Sequence, residues 1–464
     1  MIPAVGAGRR APGVAHRASR TGRRDKGGIP HVTSSPTGAG RTPTRPMLTG
    51  YRVLDLTQVV AGPTATRLLA EMGAEVVKVE LAPAGDHGRQ AGLKPRDPRF
   101  AASSASTHFA QHNHSKRTIA VDLKQEAGRA LLRRLAGKVD VLVENFAPGV
   151  MARAGLDYPT LSALYPGLIM CSISMAGQTG PLADKPGFDY MAAAYAGITG
   201  LMGEADRAPA QLGAAMGDNA TGLAAAMAIA VALLHRERTG EGQYIEASLI
   251  DTYFQMHEVN VPRVSLRGPS GAPNRAGALH GDGGPTGVFR HGADSFIAIM
   301  VLPHQWRQLV AALGMPDLEA DPRFATPRGR RENNVALATI IEAWLARFPT
   351  REAAIAALEA HRVPCAPVLS VAEAIAHPHL RARGTVREID DPRLGRFAIP
   401  GPPVRFSRWA WRDAPRAGLL GEDNAAVLAE LGGLDAAEIA ALVRERVLVR
   451  DPLLDVPPAP EQDN

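Results

Sequence analysis

The chain has 464 residues, of which 45% are hydrophobic and 21% are charged, and its formal net charge is +6. This length accommodates one large core or two to three domains, and the composition is that of an ordinary globular protein rather than a fibrous or disordered one. The excess positive charge lies in residues 1–46, which hold eight Arg and one Lys against the single acid Asp25. The rest of the chain is close to neutral, so we expect no nucleic-acid partner for it.

Residues 1–46 are rich in Gly, Pro, Arg and Ser and show no apolar periodicity, which predicts a disordered basic tail. They lack the apolar stretch of a secretory signal peptide. Three interpretations stay open. The start codon is assigned too far upstream, since Met47 precedes the first clear strand pattern, or the segment is a transit peptide, or it is a nucleic-acid-binding arm.

Cys171 and Cys365 are the only cysteines. Two isolated thiols in a chain of this size indicate a reducing compartment without a disulfide framework. No apolar run reaches the roughly 18–20 residues of a membrane span, and the run LAAAMAIAVALL is typical of a buried helix. We therefore expect a cytoplasmic protein without a membrane partner.

Strands and helices alternate from residue 51 onward. The predicted strands are 51–57, 75–80, 118–123, 139–145, 167–175 and 243–251, and the predicted helices include 63–74, 124–138, 188–203 and 219–238. This alternation predicts a doubly wound, Rossmann-like α/β domain whose ligand binds at the carboxyl ends of the strands. Neither G-x-G-x-x-G nor G-x-x-x-x-G-K-[ST] follows a strand, which disfavours a dinucleotide-dependent enzyme and a P-loop NTPase.

The character of the sequence changes near residue 260, where a long segment rich in Gly, Pro and Arg begins. Such a segment is too long for a passive connection within one compact domain. We predict a large α/β domain whose N-terminal part is 47–255 and a linker with a glycine loop at 256–287. A smaller α+β domain at 288–370 and a C-terminal part at 371–464 that returns to the large domain complete the prediction.

One acid stands out at the start of the predicted helix 219–238. The stretch GAAMGDNATG, residues 213–222, places Asp218 directly before it. Asp is a natural N-cap of such a helix. A helix N-terminus also favours an ionised carboxylate, by about 0.3–1 kcal/mol when exposed and up to ~2 kcal/mol when partly buried. An ionised carboxylate is a nucleophile, so these residues alone leave the cap and the nucleophile both open.

Six stretches together resemble the family III CoA-transferases, the group that contains formyl-CoA transferase, carnitine CoA-transferase and α-methylacyl-CoA racemase. They are VLDLTQVVAGPTATRLLAEMGAEVVKVE (53–80), HSKRTIAVDLK (114–124), DVLVENFAPGVMARAGL (140–156), GQTGPLADKPGFDYMAAA (177–194), GDNATGLAAAMAIAVALLHRERTGEGQYIEASLID (217–251) and RVPCAPVLSVAEAIAHPHL (362–380). The resemblance implies a large and a small domain joined by long linkers in an interlocked homodimer. It also implies an acyl-CoA and a small carboxylic acid as substrates, with no tightly bound cofactor.

The resemblance carries catalytic roles to four residues. In the transferases the nucleophile is an Asp placed as Asp218 is, and it converts the thioester into a mixed anhydride and then an enzyme-CoA thioester. Asp189, in PGFDYMAAA, is the second acid, and it lines the acyl pocket or caps its own helix. Gly283 and Gly284 correspond to a glycine run that closes over the Asp and offers amides to the oxyanion. The alternative for these glycines is a flexible linker.

The resemblance also points to CoA-binding residues, which are Gln58, Val60, Ala61, Lys116, Arg117, Asn145, Phe146 and Arg153. Arg153 is the strongest phosphate candidate, because a guanidinium binds phosphate oxygens in two places. A solvated pair remains the alternative for Lys116 and Arg117, as does a place in the core for Phe146. Formyl-CoA transferases carry His and Gln where this chain has Gln58 and Val60, which argues against formyl-CoA as the donor.

Two further activities are weighed against the CoA-transferase. Racemases of the family pair the acid at Asp189 with an upstream His, but this chain has no His between His114 and His235. Racemisation needs two bases, so the racemase is the alternative to the CoA-transferase, and a non-catalytic CoA-binding protein is third. Small residues in the helix 188–203, together with Arg275, favour a dicarboxylate such as succinate as acceptor.

The stretch THFAQHNH brings His108, His112 and His114 close together in the sequence. A spacing of i, i+4 on a helix is compatible with zinc. No acid or Cys stands beside them and the segment reads as a loop, so we predict no metal site.

Overall fold

A computed structural model of the protein describes residues 46–281, 283–409, 411 and 415–455. The predicted basic tail lies outside the described residues, apart from Pro46. Six strands form the central sheet: β1 (Arg52–Asp55), β2 (Glu75–Leu81), β3 (Arg117–Val121), β4 (Val141–Glu144), β5 (Ile169–Ser174) and β6 (Tyr244–Ser248). All neighbouring strands pair in parallel, in the order β3-β2-β1-β4-β5-β6. The predicted α/β class and its parallel sheet are confirmed.

The helices that follow these strands are α1 (Ala61–Glu71), α2 (Thr107–Asn113), α3 (Glu126–Ala136), α4 (Val150–Ala154), α5 (Tyr158–Leu164), α6 (Asp189–Tyr195), α7 (Met216–Thr239), α8 (Leu249–Gln255) and α9 (Asn260–Arg267). Successive strand residues point to opposite faces of the sheet. Val53 therefore packs with α1, α6, α7 and α8, whereas Leu54 packs with α3, α4 and α5. Both faces of the sheet are covered, as a parallel sheet requires.

Helices α1 and α7 approach each other closely at Gly222. A Cβ at this position would lie 2.5 Å from the Ala61 carbonyl oxygen and 2.9 Å from Thr64 Cβ, so a side chain would collide with the α1 backbone. By length and composition, α7 is the one described helix that is long and apolar enough to cross a membrane. Its Ala225, Ile229 and Leu233 are buried in the core beneath the sheet, as the sequence analysis predicts for a core helix.

A second core lies around a three-stranded antiparallel sheet. Its elements are β7 (Thr286–Gly292), β8 (Ser295–Met300), α10 (Trp306–Leu313), α11 (Pro327–Glu332), α12 (Asn334–Leu345), α13 (Arg351–Ala360) and β9 (Cys365–Pro367). Phe289, Ile297 and Leu309 are among the side chains buried there.

The remaining elements are α14 (Val371–Ala376), α15 (Pro378–Ala382), β10 (Val386–Asp391), β11 (Gly395–Pro400), α16 (Asn424–Glu430) and α17 (Ala436–Arg444). Helix α16 packs on the central sheet, where Asn424 Oδ1 accepts a hydrogen bond from the Ala120 N–H at 2.9 Å. Val427 and Leu428 belong to the same core as Leu54. The four domain limits given above stay a prediction.

Three elements differ from the sequence prediction. The segment with His108 and His112 is the helix α2 rather than a loop, because Ser106 Oγ caps it by accepting from the Phe109 N–H at 3.1 Å. Helix α6 ends at Tyr195, shortly before Gly197, whose φ of +81° is not helical. Helix α7 begins three residues earlier than predicted and therefore includes Asp218.

Candidate active site

The strand order reverses between β1 and β4, and open α/β sheets bind ligands at such a point. The predicted residues Gln58, Val60 and Ala61 lie in the turn between β1 and α1. Asn145, which follows β4, accepts from the Gln58 N–H and donates to the Gln58 carbonyl oxygen, both at 2.8 Å. Asn145 thus joins the two strand ends, and its side-chain amide binds this turn.

Val59 gives the same turn an unusual backbone conformation. Its φ is +69°, which a β-branched residue rarely adopts. Asp86 holds it there, since Asp86 Oδ1 accepts from the Val59 N–H at 3.0 Å. Lys78 supports Asp86 from 2.8 Å and also donates to the Thr57 carbonyl oxygen. Backbone strain of about 1–3 kcal/mol persists only where the surroundings impose it, and it clusters at functional sites.

Lys116 lies buried beneath this turn. Its Nζ contacts Asp55 Oδ2, Pro63 O, Thr66 Oγ1 and Asn113 Oδ1 at 2.8–3.1 Å. An ammonium group has three hydrogens, so these acceptors leave none for a CoA phosphate. Burial acts to raise the pKa of Asp55, but Lys116 and Lys78 outweigh it and lower that pKa to about 2. Lys116 is therefore a structural partner of Asp55 rather than the predicted phosphate ligand.

Arg117 also has a different place from the predicted one. It begins β3, at the amino end of the strand, whereas the ligand edge of the sheet is the carboxyl edge. Its guanidinium forms ion pairs with Glu75 at 3.0 Å and with Glu430 at 2.7 Å. Arg117 thus links β2, β3 and α16 and does not face the switch point.

The first turn of α7 shows whether Asp218 is the N-cap of its helix. Ala215 is the N-cap, so Asp218 lies within the first turn and does not cap the helix. The Asp218 N–H donates to Asp189 Oδ1 at 2.8 Å, so a carboxylate from α6 caps α7. Asp189 is the first residue of α6 and is 5% exposed. Neither acid caps its own helix, and the two acids meet instead.

The electrostatics of Asp218 differ from the sequence expectation. Burial, and to a smaller extent the nearby Asp189 carboxylate, raise the pKa of Asp218 to about 7. Desolvation and a like charge therefore outweigh the helix N-terminus, which was expected to favour the ionised form. Titration near neutral pH is typical of reactive carboxyl groups.

Tyr253 and Gly217 surround the pair of acids. The sequence analysis predicted a contact with Asp189 for neither of them. Tyr253, on α8, donates from its hydroxyl to Asp189 Oδ2 at 2.9 Å. The sequence analysis gave Gly217 no role in this contact, yet a Cβ there would overlap the Tyr253 ring edge. The sequence carries no local signal for this contact, because Tyr253 lies on a helix that only the fold brings to α7.

The site adjoins the turn after β1 through α1. Thr64 Oγ1 lies 3.4 Å from Asn219 Oδ1, and Asn219 follows Asp218. Together with the close approach at Gly222, this contact places the strained turn and the two acids on the same side of the sheet.

A cavity of about 340 Å³ opens at the carboxyl ends of β4 and β5. Asn145, Phe146, Ser174, Lys185 and Phe188 are among the residues that line it. Phe188 directly precedes Asp189, so the cavity ends beside the start of α6, although neither Asp189 nor Asp218 is among the residues that line it. Phe146 lines the cavity and also packs against the core, so its position fits both alternatives considered for it, a CoA-binding residue and a core residue.

A second cavity, of about 320 Å³, has a basic lining. Lys124, Arg129 and Arg153 line it together with the acid Asp122. The sequence analysis named Arg153 but missed Lys124, although Lys124 ends the stretch HSKRTIAVDLK. Both Lys124 and Arg153 are exposed, and clustered cations of this kind bind phosphate.

The glycine loop lies with the three-stranded sheet. A Cβ on Gly284 would stand 3.1 Å from the Arg330 carbonyl oxygen, at α11, and the nearest atom to a Cβ on Gly283 would be Thr286 Oγ1 at 3.8 Å. These contacts do not join either glycine to Asp218, so the oxyanion role stays a prediction. Residue 282 of this loop lies outside the described residues.

Arg275 does not offer a free guanidinium to a second substrate carboxylate. It donates to the carbonyl oxygens of Glu204, Ala205 and Arg207 at 2.8–3.1 Å. The Nε2 of His114, one of the three clustered histidines, lies 3.1 Å from Glu71 Oε1. Over the described ranges, no group of three or more His, Cys, Asp or Glu is placed to hold a metal ion.

The sequence model of CoA-transferase family III matches residues 48–424. The chain belongs to this family. It is 36% identical to a succinate–glutarate CoA-transferase of Agrobacterium fabrum, over 83% of this chain and 96% of that protein. It is 34% identical to a formyl-CoA:oxalate CoA-transferase of Streptomyces avermitilis, over 86% and 99% of the two chains.

The fold agrees with this family. The crystal structure of a CAIB/BAIF family protein from Brucella suis superposes with a TM-score of 0.72 at 34% identity, over 83% of this chain and all of that one. The protein is thus a family III CoA-transferase that acts on acyl-CoA thioesters and carboxylic acids. The relatives do not favour the racemase alternative.

Proposed function

We propose that the protein transfers CoA between small dicarboxylic acids through a covalent intermediate on Asp218. The observation that carries the proposal is the pair of acids at the head of α7, where Asp218 lies against Asp189 with its pKa raised to about 7. Succinate, glutarate and oxalate appear in the names of the relatives, and all three are dicarboxylates. This shared chemistry supports a dicarboxylate as acceptor.

The reaction divides one difficult exchange into four similar steps. The Asp218 carboxylate attacks the thioester carbonyl, which forms a mixed anhydride and releases the CoA thiolate. The thiolate attacks the Asp218 carbonyl carbon, which forms an enzyme-CoA thioester and releases the donor acid. The acceptor carboxylate attacks this thioester, and the returning thiolate then attacks the acceptor carbonyl of the new anhydride. Asp218 is regenerated, and acceptor-CoA leaves.

The cavities give the substrate its orientation in this proposal. The CoA phosphates bind Lys124 and Arg153 in the basic cavity, because exposed cations meet the phosphate oxygens without a burial penalty. The chain of the thioester passes the turn at Gln58, Val60 and Ala61 toward Asp218. The braced turn keeps its backbone fixed while the charge moves between the thioester and the carboxylate.

An exposed apolar face supports the predicted homodimer. Leu223, Met227, Val231 and Leu234 are 44–65% exposed and recur every three to four residues on α7, which places them along one face. Contiguous apolar patches of this kind mark protein interfaces. We propose a second copy of the chain as the partner of this face, and the cytoplasmic location stays a prediction.

Mass spectrometry of the covalent intermediate tests the function. The protein is incubated with succinyl-CoA without acceptor and digested, and the peptide with Asp218 is examined for a CoA adduct. We expect the adduct in the wild type and in Asp251→Asn, a matched control because Asp251 is an exposed acid in the first turn of α8. Its persistence in Asp218→Ala would contradict the proposal.

A further inference from the structure

Tyr253 on α8 contacts Asp189, the acid that caps α7. It is 1% exposed, and its hydroxyl donates to Asp189 Oδ2 at 2.9 Å. The other oxygen of Asp189 accepts from the Asp218 N–H at 2.8 Å. Both Asp189 oxygens thus have a donor, one from α8 and one from α7. The carboxylate cannot rotate without losing one of these bonds.

Gly217 permits this arrangement. A Cβ at Gly217 would overlap Tyr253 Cε2 and would lie 2.6 Å from Cζ and 2.7 Å from Asp189 Oδ1. The glycine therefore gives the tyrosine ring its place directly over the backbone that precedes Asp218. The ring and the hydroxyl of Tyr253 thus pack against Gly217 and Asp189, next to Asp218 in the chain.

An ionised carboxylate only accepts hydrogen bonds, whereas a protonated one must donate through one oxygen. With donors at both oxygens, Asp189 is held in the form that accepts. A carboxylate in this state opposes a second negative charge beside it. A proton on Asp218 relieves this repulsion, in agreement with the raised pKa of Asp218.

We propose that Tyr253 is a positioning residue of the transferase: it fixes Asp189 as the ionised cap of α7 and so makes Asp218 the acid that titrates and reacts. The inference rests on the proposed function of Asp218. Tyr253 acts through Asp189 and touches no substrate atom in this account.

The other titratable groups near these helices face elsewhere. His257 Nε2 lies 2.7 Å from the Ala196 carbonyl oxygen, beyond the far end of α6. His112 of α2 contacts Thr64 Oγ1 and Gln111 Nε2, both at 3.4 Å, and burial lowers its pKa to about 3. On α1, Arg67 and Glu71 contact each other at 3.4 Å. The pH response of the site thus belongs to Asp218, whose pKa is raised.

Steady-state kinetics of Tyr253→Phe test the proposal, since this change keeps the ring and removes the hydroxyl. We expect kcat to fall roughly tenfold, the effect of losing one hydrogen bond to a charged group, while KM for the acyl-CoA stays nearly constant. The acid limb of kcat/KM, which the raised pKa of Asp218 places near pH 7 in the wild type, moves to lower pH because Asp189 loses the donor that fixes its carboxylate beside Asp218. Tyr165→Phe is the matched control, because the Tyr165 hydroxyl donates to the Arg133 carbonyl oxygen away from the site.

A double-mutant cycle with Asp189→Asn separates positioning from packing. If Tyr253 acts through Asp189, adding Tyr253→Phe to Asp189→Asn changes neither kcat nor the pH limb further. Independent, multiplying effects would overturn the inference, as would a Tyr253→Phe enzyme with wild-type kcat and pH limb. The absence of a CoA adduct on Asp218 in the wild type would instead contradict the proposed function. A failure of the inference about Tyr253 can therefore be distinguished from a failure of the proposed function.

Discussion

Asp55 and Asp218 lie in the same α/β domain, on either side of α1, and differ in almost every electrostatic respect. Asp55 is fully buried with Lys116 at 2.9 Å, and its pKa is lowered to about 2. Asp218 is partly exposed beside another acid, and its pKa is raised to about 7. The residue type is the same, so the neighbours decide the chemistry.

The comparison shows how the same residue type can have a structural role at Asp55 and a reactive role at Asp218. Asp55 receives hydrogen bonds from Thr57, Thr66 and Lys116, so its charge is stable and it holds the turn after β1. Among the described residues no cation supports the charge of Asp218, and its neighbour Asp189 opposes that charge. A carboxylate without a cationic partner attacks a carbonyl carbon more readily than a carboxylate that forms an ion pair with an ammonium group.

The largest expected effect is on catalysis. Asp218→Ala should lower kcat by at least about 10⁴-fold, because removing a covalent nucleophile typically costs this much or more. Stability and CoA affinity should remain close to those of the wild type. An exchange assay with succinyl-CoA and glutarate measures this, and an Asp218→Ala enzyme with more than about a tenth of wild-type activity would remove Asp218 from the mechanism.

The next largest effect is on the stability of the fold and concerns Asp55. Lys116→Met should lower the free energy of unfolding by about 3–5 kcal/mol, because it leaves Asp55 buried without its cation. Urea denaturation measures the change, and adding Asp55→Asn should restore part of it. A loss below about 1 kcal/mol would mean that Asp55 does not depend on Lys116.

A smaller effect concerns CoA binding. Lys124→Ala and Arg153→Ala should each weaken CoA binding roughly tenfold, and the affinity should fall with ionic strength. Arg117→Ala is the control, since Arg117 is paired with Glu75 and Glu430 at the opposite edge of the sheet. Isothermal titration calorimetry distinguishes the cases, and a larger loss of affinity in Arg117→Ala than in the other two variants would place the phosphates at Arg117 instead.

The smallest effect is a pH-dependent gain in stability. The pKa of Asp218 is higher in the folded protein than its ordinary value of 3.8, so ionising Asp218 destabilises the fold as pH rises between these values. Asp218→Asn removes that charge. Its Tm should exceed the wild-type Tm by roughly 1–3 °C at about pH 8 and equal it at about pH 4. A difference that is independent of pH would place its cause elsewhere.

Much of the framework could be predicted from local sequence. The strand at 75–80 is recognisable because apolar residues run through it between a glycine stop and a polar loop, and the structure has β2 at Glu75–Leu81. Gln58 and Asn145 could be placed near one another, because the turns after parallel strands meet at one edge of the sheet.

Contacts between distant elements could not be predicted in this way. Lys116 reads as a surface cation beside Arg117, and only the folded chain places it under α1 against Asp55. Tyr253 lies on α8, far in sequence from Asp189, and its hydrogen bond depends on how three helices pack. The raised pKa of Asp218 has the same origin, since a helix N-terminus predicts an ionised acid at that position and only packing buries the carboxyl group and brings Asp189 beside it.

The central claim is that Asp218 is the carboxylate through which CoA passes, and oxygen labelling tests it most directly. The wild-type enzyme turns over succinyl-CoA with glutarate that carries ¹⁸O in its carboxyl groups, and the peptide containing Asp218 is then weighed. The four-step exchange predicts that ¹⁸O from glutarate enters the Asp218 carboxylate, because each acceptor leaves one oxygen there. Full turnover with no ¹⁸O in this peptide would contradict the account.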